Sequence, residues 1–91
     1  MHLTTLSTLD RLRKGVAARV DSVDWAGLDA AEARRLRELG LVEGAEVEVL
    51  HRGALFFRDP LAVRVGRMRI IMRARHAMAI TLASPAERNG G

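Results

Sequence analysis

The three histidines are the first residues to consider for chemistry, because the chain contains no cysteine. The absence of cysteine excludes disulfides and thiolate ligands, whereas imidazole and carboxylate groups can still share a zinc ion. His2, His51 and His76 lie far apart in the sequence and show no metal-site spacing. They are weak candidates for metal binding, and we expect that no cofactor is required. An adventitious or regulatory divalent ion, for example one shared between two chains, stays open as an alternative.

The serine and glycine residues do not form a catalytic pattern. Ser7, Ser22 and Ser84 stand in no motif with a histidine and an acid, as serine-type nucleophilic catalysis requires. Gly40 and Gly44 are not followed by Lys-Ser or Lys-Thr, so there is no phosphate-binding loop of the P-loop type. We therefore predict that the protein is not an enzyme.

Positive charge is concentrated in the second half of a chain whose net charge is +4 at pH 7. From Arg52 onward, Asp59 and Glu87 are the only acids, against the arginines Arg52, Arg58, Arg64, Arg67, Arg69, Arg73, Arg75 and Arg88. This asymmetry indicates an anionic partner or a well-solvated face. Small barrels that bind nucleic acid usually add aromatic stacking on their strands. Here Trp25, Phe56 and Phe57 all fall in predicted loops, so we expect no specific nucleic acid.

One helix, inserted between the first two predicted strands, is defined at both ends. Asp29 is a suitable N-cap, with Glu32 three residues later to complete a capping box. At the other end, Gly40 stands where a residue with a left-handed backbone is needed. Gly44 then forms a turn directly before the second predicted strand. The motif residues Leu36, Leu39, Gly40, Leu41 and Gly44 are explained by capping and packing, and we interpret them as structural.

Five short strands are predicted around this helix, at about 16–23, 46–52, 61–65, 68–73 and 78–82, with a hairpin turn at 66–67. Their alternation predicts a common inner face made by Val47, Val49, His51, Val63, Val65, Met68, Ile70, Met72, Met78, Ile80 and Leu82. His51 would then be a hydrogen-bonded histidine at the end of the core. Short antiparallel strands with one core face predict a mainly β, strongly bent barrel that the helix covers.

Length and composition predict one domain of residues 1–83 and a disordered tail of residues 84–91. Hydrophobic residues make up 48% of the chain, and no apolar run is long enough for a membrane span. The first residues lack the pattern of a secretory signal. We expect a cytoplasmic location.

The Arg35-Leu36-Arg37-Glu38-Leu39-Gly40-Leu41-Val42-Glu43-Gly44 segment resembles the FeoA family of bacterial ferrous iron transport proteins. The likeness extends over roughly residues 6–82 and includes Val47, Val49, Asp59-Pro60, Val63, Val65, Ala77, Ile80 and Leu82. It implies an SH3-like barrel, a fold also seen at the C-terminus of iron-dependent repressors. It further implies association with a membrane ferrous iron permease that carries a GTP-binding domain.

The resemblance predicts a non-enzymatic accessory or regulatory module of iron uptake. There are two alternatives: a metal-responsive barrel like that of the repressors, and a basic barrel that binds nucleic acid. A homodimer is also possible. Phe56, Phe57 and Arg58 lie in a bulky loop before Asp59, and we predict that they bind the partner together with Arg69 and Arg73.

Overall fold

The computed structural model describes residues 7–56 and 59–83, which form a six-stranded antiparallel sheet with the order β1-β6-β2-β3-β4-β5. The strands are β1 (Ser7–Thr8), β2 (Ala17–Val23), β3 (Glu46–Phe56), β4 (Asp59–Val65), β5 (Met68–Met72) and β6 (Ile80–Leu82). The helices are α1 (Ala30–Glu38) and the single turn α2 (Ala74–Ala77), with 3-10 turns at Leu9–Arg11 and Trp25–Gly27. The mainly β antiparallel fold is confirmed. The two-residue β1 and the short α2 were not predicted.

Helix α1 begins and ends where the sequence predicts. The Asp29 side chain accepts a hydrogen bond from the Glu32 N–H at 2.8 Å. The Glu32 carboxylate, however, bonds to Arg35 instead of completing a capping box. At the C-terminus the Leu41 N–H donates to the Leu36 carbonyl at 2.9 Å, and Gly40 has a φ of +91°. These are the features of a Schellman motif, which turns the chain directly toward β3.

The core is built from alternating residues of the strands and one side of α1. Its largest fully buried side chains are Leu9, Leu36, Leu41, Leu61, Ile80, Val47, Val49 and Val63. Ile70, Met72, Val65 and Leu82 are also buried, as the alternation predicts.

The prediction is wrong for two methionines of the inner face. Met68 is 46% exposed because it stands at the hairpin turn, where β5 begins. Met78 is 61% exposed because α2 replaces the predicted start of the last strand and Met78 is its C-cap residue. Strand β6 consequently begins only at Ile80.

The predicted core position of His51 is also wrong. Val49 pairs with Val63, but His51 pairs with Ala62, so the register between β3 and β4 shifts by one residue at Leu50. This bulge reverses the face on which later residues of β3 lie. His51 is therefore exposed.

Strand β5 lies at one end of the sheet order, and among the described strands β4 is its only sheet neighbour. The hairpin that joins them turns at 66–67, and Gly66 has a φ of +57°. Arg64 lies opposite Arg69 and Ala62 opposite Ile71, so these residues share the outer face of the hairpin.

Candidate protein-interaction site

A cleft of 290 Å³ lies between α1, the end of β5 and α2, and we call it the α1–β5 cleft. Helix α1 contributes Glu32 and Arg35, and the remaining lining residues are Pro60, Ile71, Met72, Arg73 and His76. These positions come from four separate elements. The sequence predicts that β4 and β5 form a hairpin, but it predicts neither α2 nor the packing of α1 against β5, so this cleft was missed by sequence reasoning.

A two-point ion pair forms one wall of the α1–β5 cleft. Arg35 Nε donates to Glu32 Oε1 at 3.1 Å, and Arg35 Nη2 donates to Glu32 Oε2 at 3.0 Å. Arg35 Nη2 also donates to the Ile71 carbonyl at 3.1 Å, which connects α1 to β5. The hydrogen bond from Arg35 lowers the pKa of Glu32, and the positive charges of Arg35 and His76 act in the same direction, whereas partial burial and Asp29 oppose them. The same bond raises the pKa of Arg35.

His76 stands at the back of the α1–β5 cleft, with a side chain that is 17% exposed. Its Nδ1 lies 3.3 Å from Glu32 Oε2, although it makes no hydrogen bond of acceptable geometry with a described residue. A histidine and a carboxylate are metal ligands, but the Arg35 guanidinium already occupies the carboxylate and repels a cation.

The predicted metal candidates are not brought together. Among residues 7–56 and 59–83, no group of three or more His, Cys, Asp or Glu side chains could hold a metal ion. His51 is exposed on β3 and His76 lies on α2, while His2 is outside the described residues. Metal binding by these histidines stays untested.

The mouth of the α1–β5 cleft combines an exposed apolar side chain with arginines. Ile71 is 55% exposed, and its position on the outer face of β5 is the one that strand alternation predicts. Arg69 and Arg73 flank it two residues away on either side, and both are exposed. An isoleucine between two arginines was visible in the sequence, but only the structure places it beside a cleft.

The arginines of the β4–β5 hairpin and of α2 have different surroundings. Arg64 forms ion pairs with Glu48 at 2.9 Å and Glu46 at 3.7 Å, so its charge is offset. Arg73, whose side chain is 61% exposed, forms an ion pair with Asp59 at 3.4 Å. Arg69 makes no ion pair with a described residue, and Arg75 lies on α2 instead of the hairpin.

The aromatic part of the predicted partner surface lies largely outside the described residues. Phe57 and Arg58 fall there, as does the side chain of Phe56. The backbone of Phe56 ends β3 and pairs with Asp59, so this residue belongs to a strand instead of a loop. Trp25 stacks on Arg37, whose Cζ is 4.3 Å from the ring centroid, and its Nε1 donates to Glu43 Oε2 at 3.1 Å.

A small antiparallel sheet with one helix packed into its core is the architecture of an SH3-like domain. Residues 7–83 match the FeoA domain, and the chain belongs to the FeoA family. Comparison with curated proteins found no match. Among the described residues, no helix is long and apolar enough to cross a membrane.

Solved structures agree with this assignment. The chain is similar to the FeoA protein from Chlorobium tepidum, with 37% identity, a TM-score of 0.74, and 87% of this chain and 70% of that chain covered. It is also similar to Stenotrophomonas maltophilia FeoA in complex with zinc, with 38% identity, a TM-score of 0.71 and coverage of 85% and 89%. That protein is described as a prokaryotic SH3 domain protein and a candidate ferrous iron transport activating factor.

A manganese-dependent transcriptional repressor has a similar fold. Its TM-score is 0.72 at 18% identity, with 91% of this chain but only 44% of the repressor covered. At this identity the likeness concerns the fold alone, as the sequence resemblance predicted.

Proposed function

We propose that this protein is a non-enzymatic accessory module of bacterial ferrous iron uptake, which works in the cytoplasm and binds the GTP-binding domain of the ferrous iron permease. The observation that carries this proposal is the match of residues 7–83 to the FeoA domain. The Stenotrophomonas maltophilia relative, described as a candidate transport activating factor, points to the same role.

The surface chemistry supports an interaction role. The exposed Ile71 lies between Arg69 and Arg73, on the strand that ends the sheet. An apolar anchor with a polar rim is typical of a protein interface. The charge of the arginines is complementary to an acidic surface and would speed the encounter with one.

The proposal is tested by calorimetry of the purified chain with the soluble GTP-binding domain of the permease, with and without guanine nucleotide. We expect saturable binding with a Kd on the order of micromolar, as is typical of a small transient interface. A GTP-binding domain from an unrelated protein is the control and should not bind. No binding in any nucleotide state would refute the proposed partner.

The two alternative functions, a metal-responsive domain and a nucleic-acid-binding barrel, differ from the proposed one in the ligand that each would bind. The repressor-like fold would favour a metal-responsive domain only if a divalent ion changed the stability or the association state of the chain. A nucleic-acid-binding barrel would need aromatic platforms, yet Trp25 is already engaged with Arg37 and Glu43. No described feature favours either alternative.

A further inference from the structure

We infer that the α1–β5 cleft is the docking site for an acidic segment of the partner protein, which inserts one apolar side chain between carboxylates that pair with Arg69 and Arg73. The inference rests on the proposed function, since it assigns the surface and the chemistry by which the permease domain is bound. It differs from the predicted aromatic loop because the apolar contact is made by the cleft itself.

The apolar contact area is formed by two neighbouring strands. Ile71 and Met72 from β5 line the cleft together with Pro60 from β4. Met72 is 2% exposed and therefore fixed in the core, whereas Ile71 is 55% exposed and makes a projecting edge. Burying an aliphatic side chain against such a surface is favourable, because it removes apolar area from water. One Leu, Ile or Phe of a partner could therefore act as an anchor here.

The charges around the cleft select an acidic partner segment. The charge of Arg35 is balanced by Glu32 within the cleft wall, and that of Arg64 by Glu48 and Glu46. Arg73 pairs with Asp59 at 3.4 Å, but its side chain is 61% exposed, so solvent screens this pair more than a buried one. Arg69, two residues before Ile71 on β5, is exposed and makes no ion pair with a described residue. The mouth of the cleft thus presents net positive charge beside an apolar surface.

Strand addition at the same edge is disfavoured by Arg35. Because β5 pairs with β4 alone among the described strands, alternate residues direct their backbone groups away from β4, and these groups could bind an added strand. The Ile71 carbonyl, however, already accepts a hydrogen bond from Arg35. The Arg35 side chain is held in this position by Glu32. A partner segment would therefore bind through its side chains.

The experiment measures the affinity of the soluble GTP-binding domain for three variants. Ile71→Glu removes the apolar anchor, and Arg69→Glu with Arg73→Glu reverses the rim charges. We expect each to weaken binding at least about tenfold, as central anchors and charged interface pairs typically do. Arg35→Met frees the Ile71 carbonyl and leaves the Glu32 carboxylate unpaired in the cleft wall. We expect this variant to bind an acidic segment more weakly, whereas a partner that adds as a strand would bind it more tightly.

A matched control changes the same chemistry elsewhere. Val16→Glu replaces another exposed aliphatic residue. Circular dichroism and urea unfolding must show that every variant is folded. A variant that does not fold is replaced by Ile71→Ser or by Arg69→Ala with Arg73→Ala, for which we expect the same direction of change.

Each outcome decides the inference. Loss of affinity in the cleft variants with an unchanged control supports it. Equal losses in cleft and control variants, or no loss in either, overturn it while leaving the proposed function intact. No binding by the parent chain overturns both. Tight binding of the parent to a DNA oligonucleotide, abolished by Arg69→Glu with Arg73→Glu, would assign the surface to nucleic acid instead.

Discussion

Gly40 has the backbone conformation on which the end of α1 depends. Its φ is +91°, and a Cβ added there would meet no atom within 4 Å. A substitution would therefore be destabilising through backbone strain and not through a clash. We predict that Gly40→Val lowers the free energy of unfolding by at least about 1 kcal/mol, because a β-branched residue resists positive φ.

Urea titration measures this change, and Gly40→Asn is the matched control. Asn tolerates the left-handed region better than other residues with a side chain. We expect its loss of stability to be clearly smaller than that of Gly40→Val. Equal stability of the parent and the valine variant would show that Gly40 does not need a left-handed backbone.

Glu32 gives the second prediction at the scale of a single residue, a dependence of stability on pH. Its pKa in the folded chain is below the ordinary value of 4.5, mainly because Arg35 donates hydrogen bonds to it. A lowered folded-state pKa means that the stabilisation is present above about pH 4.5 and is lost as the pH falls through the folded value. Glu32→Gln should therefore reduce stability by about 1 kcal/mol at pH 7. At pH 3 the difference in the free energy of unfolding between Glu32→Gln and the parent should be smaller.

Unfolding in urea at both pH values tests this prediction. Glu38→Gln is the control, since Glu38 is exposed on the same helix and forms no ion pair with a described residue. Its difference from the parent should be small at pH 7. A Glu32→Gln variant whose difference from the parent is the same at both pH values would contradict the assigned ion pair.

Helix α1 contributes the third prediction, at the scale of the element. Its apolar side is buried in the core through Ala33 and Leu36, of which Leu36 is 0% exposed. Leu36 also accepts the Leu41 N–H through its carbonyl, so the same residue anchors the helix and its C-terminal turn. We predict that Leu36→Ala lowers the free energy of unfolding by about 2 to 5 kcal/mol through lost burial and a cavity.

The control for this helix is Leu39→Ala, because Leu39 is the C-cap residue and only partly buried. In urea unfolding, Leu39→Ala should lose less free energy of unfolding than Leu36→Ala. If the two variants lost the same stability, α1 would not be anchored in the core through Leu36.

At the scale of the whole molecule, the net charge of +4 predicts weak association with any polyanion. We expect binding to single-stranded DNA with a Kd on the order of 10 µM or weaker. The affinity should fall steeply as the salt concentration rises, because binding depends on counterion release. Fluorescence anisotropy in a salt series measures this. Sub-micromolar binding near physiological salt that is lost on Arg69→Glu would replace the accessory-module proposal with a nucleic-acid function.

The sequence by itself determined the elements whose causes are local. Asp29 and Gly40 set the limits of α1, because capping and a positive φ act within a few residues. The turn at 66–67 and the buried faces of β4 and β6 followed from turn residues and alternation. The FeoA resemblance stated for roughly residues 6–82 was confirmed over residues 7–83.

Tertiary structure alone decided what depends on pairing between distant segments. The bulge in β3 turned His51 outward, and a one-residue shift of register leaves no signature in the alternation of that strand. Glu32 was predicted to cap its own helix, yet its carboxylate binds Arg35 and approaches His76, which is distant in the chain. The α1–β5 cleft exists because four elements meet at one end of the sheet. Local sequence patterns report helices, strands and their buried faces, but not which elements become neighbours.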